Sequence, residues 1–65
     1  MDRLEERLLK KGIDKLLAEI NDKTAGFKLN AALNLRGNKA AGVRARKASL
    51  DLEKLLKQYR KLSVM

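Results

Sequence analysis

The residues best suited to chemistry lie in one run, Arg36-Gly37-Asn38-Lys39-Ala40-Ala41-Gly42-Val43-Arg44-Ala45-Arg46-Lys47. It holds five cationic side chains and no acid. It also holds two of the chain's four glycines and a series of small residues. Cations grouped this closely bind anions. Each Lys or Arg placed on a nucleic-acid phosphate releases condensed counterions. Arg44 and Arg46 can grip phosphates bidentately or enter a minor groove. A helix start at Asn38, Lys39 and Ala40 would add exposed backbone N–H groups, themselves an anion site.

Further cations follow the run: Lys54, Lys57, Arg60 and Lys61. Residues 36–65 carry nine Lys/Arg against Asp51 and Glu53, a net of +7, whereas residues 1–35 carry seven against six, a net of +1. A charge serving solubility alone would be spread over both halves, with acids interleaved. The asymmetry favours an anionic partner on the second half. Few Asn, Gln or aromatic side chains accompany the cations, so little reading of base edges or stacking is expected. Phosphate contacts serve DNA and RNA alike, and an acidic protein face is a further candidate partner.

The inventory excludes other classes. The 65 residues contain no His, no Cys and no Pro. That removes a Cys nucleophile, a Cys/His zinc site and a disulfide framework. Gly37 and Gly42 do not form a dinucleotide or phosphate loop fingerprint. No enzyme activity, cofactor, metal or small-molecule substrate is expected. The acids of the first half read as solvated partners of neighbouring lysines, such as Glu6 with Lys10 and Glu19 with Lys23. No apolar run is long enough to span a membrane. The N-terminal Met-Asp-Arg-Leu-Glu-Glu lacks the apolar segment of a secretory signal. An interfacial helix would need aromatic side chains that the second half lacks, so no membrane partner is expected.

The elements that must position the cations are helices. Leu, Ala, Lys, Arg and Glu dominate, the composition of long helices or coiled coils. Leu9, Ile13, Leu16, Ile20, Thr24, Phe27, Ala31 and Leu35 fall at spacings of 3 or 4 and form one face. This predicts a helix over about 2–35, with Asp2, Glu5 and Glu6 in its favourable first turns. Residues 21–26, Asn-Asp-Lys-Thr-Ala-Gly, are the one place where it could break into two. Gly37 can close a helix in the left-handed conformation, and Asn38 is a strong N-cap for the next. The second helix, about 38–62, carries an unbroken heptad seam: Ala41, Ala45, Ala48, Leu52, Leu55, Tyr59 and Leu62. Its alanine half lies beside the turn and permits close approach of a partner helix.

So short a turn folds the helices back on each other. The expected fold is an all-α antiparallel helical hairpin, a single domain over residues 1–65. The first helix exceeds the second by roughly ten residues. A hairpin covers only one stripe per helix, so two copies are expected to associate as a homodimer with a four-helix or coiled-coil arrangement. Asn21, Asn30 and Asn34 lie at the surface or the seam edge, where one of them could set register.

From Gly37-Asn38-Lys39-Ala40-Ala41 through Arg44 and Arg46-Lys47, the chain resembles the bacterial histone H1-like family, the nucleoid-condensing type known from chlamydiae. That family carries a G-N-K-A-A-x-x-R-x-R block, then a Leu/Lys-patterned helix with a Tyr-Arg-Lys-like ending, here Gln58-Tyr59-Arg60-Lys61. The resemblance spans about residues 36–62. It implies a cytoplasmic, nucleoid-associated helical protein that compacts DNA with little sequence preference. The family's basic block maps onto Lys39, Arg44, Arg46 and Lys47. The chain resembles a short member, lacking the Lys/Ala/Pro-rich C-terminal tail of the long ones. The alternatives are RNA binding and a coiled-coil assembly module docking on an acidic protein.

Overall fold

The computed structural model describes residues 3–64, apart from the side chains of residues 5, 6, 8 and 9. The expectations placed on Asp2, Glu5, Glu6 and Leu9 fall outside this set. Two helices account for the described chain: α1, Arg3–Leu35, and α2, Lys39–Leu62. They pack on each other as an antiparallel hairpin, and no strand occurs among the described residues.

α1 runs without interruption through 21–26. The polar residues that signal a loop there are absorbed by the helix itself. Thr24 Oγ1 donates to the Ile20 carbonyl at 2.7 Å, and Asn30 Nδ2 donates to the Gly26 carbonyl at 2.9 Å. Both are bonds to the preceding turn, compatible with helix. Ile20, Thr24, Phe27 and Ala31 stay half-buried against α2. Packing of this face outweighs the local preference of Asn, Asp and Gly for a turn.

The connection is three residues long. The Asn38 N–H donates to the Leu33 carbonyl at 3.1 Å, and the Gly37 N–H to the Asn34 carbonyl at 2.9 Å. This pair of bonds is a Schellman motif. It places Gly37 at φ +102°, a conformation that costs an L side chain about 1–2 kcal/mol. Asn38 then caps α2, its Oδ1 accepting from the Ala41 N–H at 3.0 Å. One residue thus ends the first helix through its backbone and begins the second through its side chain.

Antiparallel register is visible in three cross-helix contacts. Lys23 Nζ pairs with Asp51 Oδ2 at 3.3 Å. Arg44 Nε donates to Asn30 Oδ1 at 2.8 Å. Asn34 lies over Gly42, where an added Cβ would stand 2.8 Å from the Asn34 Cγ. The expected pairing of Glu19 with Lys23 is replaced by the bond from Lys23 to Asp51, because α2 brings a carboxylate alongside. At the other end Leu62 of α2 shares a hollow with Gly12 and Leu16 of α1. α1 therefore overhangs α2 by roughly two and a half turns, about 13 Å.

The core is thin. Ala41, Gly42 and Ala45 are buried beside the turn, and Leu16 toward the open end. Ile13, Ile20, Phe27 and Ala31 of α1 are half-buried, as are Ala48, Leu52, Leu55 and Leu62 of α2. Tyr59 is the most exposed member of the α2 seam. The stripe expected to reach Leu35 stops earlier, and Leu35 is 89% exposed. The last turn of α1 passes beyond the first buried residue of α2, and Asn34 takes the position over the partner helix.

The hairpin's two edges differ. The edge carrying Lys23–Asp51 and Asn30–Arg44 is polar, and Glu19, Lys54 and Gln58 line the groove along it. By helical periodicity Leu17 and Leu56 fall on the opposite edge. They are 47% and 45% exposed.

Candidate nucleic-acid interface

The nine cations expected at the site are all exposed: Arg36 in the turn, and Lys39, Arg44, Arg46, Lys47, Lys54, Lys57, Arg60 and Lys61 on α2. Helical periodicity distributes them over the outer surface of α2. Lys39, Arg46 and Lys57 follow one flank, Lys47 and Lys54 the other. Arg44 sits on the polar edge beside α1.

Both acids of α2 are engaged within the protein. Asp51 is held by Lys23 across the hairpin, and Glu53 lies 3.6 Å from Lys57, four residues on. Both pairs are solvent-exposed and contribute little to stability. Their electrostatic effect matters more, since neither carboxylate offsets the cations at 36–47. No acid occupies the first turn of α2, where the helix dipole would favour one. That end presents Lys39 instead. Arg60 and Lys61 lie in the last turn, where the dipole favours cations for structural reasons alone.

Arg44 is the best positioned of the cations. Asn30 donates its Nδ2 to the Gly26 carbonyl, which turns its Oδ1 toward the Arg44 Nε. Bonding through Nε leaves the two terminal nitrogens of the guanidinium without a partner among the described residues, and such a pair can make a bidentate phosphate contact. The seam-edge role considered for Asn30 and Asn34 is thus realised in cross-helix contacts. Asn34 Nδ2 also donates to the Asn38 carbonyl at 3.1 Å, bracing the turn.

One expected feature is corrected. The Asn38 N–H was to be free for an anion, but the Schellman bond to Leu33 occupies it. The anion site at the start of α2 is smaller than the sequence suggests. Sequence reasoning also missed the close approach of Asn34 to Gly42, where an added side chain would have to push Asn34 aside. It gave Val43 no role, and took Leu50 only as an apolar residue beside the seam in need of cover. These stand among the cations at heptad spacing, 58% and 60% exposed.

A small all-helical hairpin whose turn and second helix carry nine exposed cations against two lysine-paired acids has the character of a histone-like protein. The model of the family described as histone H1-like protein Hc1 matches residues 14–65, and the chain belongs to that family. The match covers all of α2 and most of α1, well beyond the 36–62 block that carries the resemblance in the sequence. No curated protein and no solved structure is significantly similar to the chain. No described helix is long and apolar enough to cross a membrane.

Proposed function

We propose that this chain is a non-catalytic, nucleoid-associated DNA-binding protein that neutralises phosphates through the turn and α2. It bends, bridges or compacts DNA with little sequence preference. The observation that carries the reading is the set of nine exposed cations at residues 36–61, with both α2 carboxylates held by lysines. Membership of the histone H1-like family supports it. A binder with six to ten phosphate contacts loses about 10³–10⁵ in affinity between about 50 and 200 mM salt. A mobility-shift titration of unrelated duplex sequences should show this loss, with similar affinities among sequences. An assembly module that docks on an acidic protein predicts no shift at either salt concentration.

The same reading includes a homodimer. The chain exposes 5480 Å², whereas a folded monomer of its mass exposes about 4,200 Å². The edge carrying Leu17 and Leu56 is the apolar surface that a second copy would cover, and packing there yields four helices around one core. A dimer also carries two cation clusters, which is what bridging or bending requires. Sedimentation equilibrium should return twice the chain mass at micromolar concentration. A folded monomer under those conditions removes the dimer while leaving the DNA reading intact.

A further inference from the structure

Val43 and Leu50 have no role in the hairpin. They sit on the face of α2 turned away from α1, one heptad apart and more than half exposed. Helical periodicity places them about 10 Å apart along one line of the helix. Lys47 and Lys54 run along one side of this line and Arg46 and Lys57 along the other, where Glu53 also stands, paired with Lys57 at 3.6 Å, and Lys61 continues the line toward the end of the helix. An apolar line with cations on both sides is not the pattern of a solvated face, which would carry polar residues at its centre. Nor does it suit a helix lying across the outside of a duplex, where a single band of cations would meet the phosphates.

Resting on the DNA-binding reading above, we infer that α2 docks lengthwise in the major groove of duplex DNA, with Val43 and Leu50 on the groove floor. The B-form major groove is about 12 Å wide, and a helix with its side chains measures about 10–12 Å. A helix seated there meets a phosphate wall on each side, matching the two rows of cations. The floor offers thymine methyl groups and base edges, and the methyls are the surface that small apolar side chains contact. With α1 packed on the opposite face of α2, the hairpin leaves the groove-facing side clear. Base pairs are touched without being read in detail, since Val and Leu donate and accept no hydrogen bonds. A-form duplex RNA has a deep, narrow major groove closed to a helix. The geometry thus selects DNA over duplex RNA.

The test uses two duplexes of one sequence, one with plain cytosine and one with glucosylated 5-hydroxymethylcytosine, which fills the major groove and leaves phosphates and minor groove unaltered. Fluorescence anisotropy with the wild-type protein should show binding to the glucosylated duplex weakened about tenfold or more, equivalent to about 1.4 kcal/mol. Duplex RNA of the same sequence should bind weakly as well. A double variant, Val43→Thr with Leu50→Gln, should bind plain DNA about tenfold more weakly at an unchanged salt slope, because apolar contacts release no counterions. Equal affinity for the plain and glucosylated duplexes overturns the groove placement and leaves the DNA reading standing. Wild-type affinity in the double variant overturns the role of Val43 and Leu50. Failure of the wild-type protein to bind any duplex at low salt overturns the DNA reading and this inference together.

Discussion

Alanine at positions 44, 46 and 47 together should abolish measurable duplex binding while the far-ultraviolet circular dichroism spectrum stays helical. Arg44, Arg46 and Lys47 are exposed, and none has an acidic partner among the described residues. Their removal leaves no charge unpaired in the protein. The one internal bond lost is that from Arg44 Nε to Asn30 Oδ1, at an exposed site. Such a bond contributes about 0.5–1.5 kcal/mol, and alanine is the better helix former. The fold should therefore survive. If each cation meets a phosphate, the slope of log affinity against log salt should fall by about 2.7. Affinity at low salt should drop by a factor on the order of 100 or more. Binding unchanged in this variant excludes the cluster as the contact site, and a loss of helix would make the cluster structural.

Leucine at position 41 should cost the hairpin most of its stability. Ala41 is fully enclosed, with 0% exposure. It faces α1 where Gly42 and Ala45 also keep the helices close. A larger side chain must separate the helices or distort the turn, and overpacking of this kind costs about 1–3 kcal/mol. A domain this small draws no more than about 3–5 kcal/mol from its core. Thermal melts should show the midpoint falling by roughly 4–24 °C, taking about 4–8 °C per kcal/mol for a domain of this size. Ala40→Leu is the matched control. Ala40 is exposed one residue earlier on the same turn, and its replacement should leave the melt unchanged. If Ala41→Leu melts like its control, the close packing beside the turn does not hold the fold.

Much of this molecule is legible from short-range pattern. Spacings of 3 and 4 along residues 13–31 and 41–62 define the two buried faces. Gly37 and Asn38 define the turn between them, since few other residues accept φ +102° or cap a helix so directly. The charge asymmetry between the halves also needs no coordinates. The ambiguous stretch at 21–26 shows where pattern runs out. Asn, Asp, Thr and Gly there carry a local preference for a turn, and the packing of Ile20, Thr24 and Phe27 against α2, with the Thr24 and Asn30 bonds to the preceding turn, accompanies an unbroken helix.

By itself the sequence determined the helices, their antiparallel return and the concentration of positive charge in the second one. Each depends on residues within a few positions of one another. Tertiary structure decided which cations stand free and which are held. It turned Lys23 from Glu19 to Asp51, 28 residues away, and set Arg44 against Asn30. It set Asn34 close over Gly42 and gave the Asn38 N–H to the turn. It also left Val43 and Leu50 facing outward among the cations. Such outcomes depend on which residue of α1 lies beside which residue of α2. That register is set by the length of the turn and the close fit of Ala41, Gly42 and Ala45, and it has no counterpart in the periodicity of either helix alone.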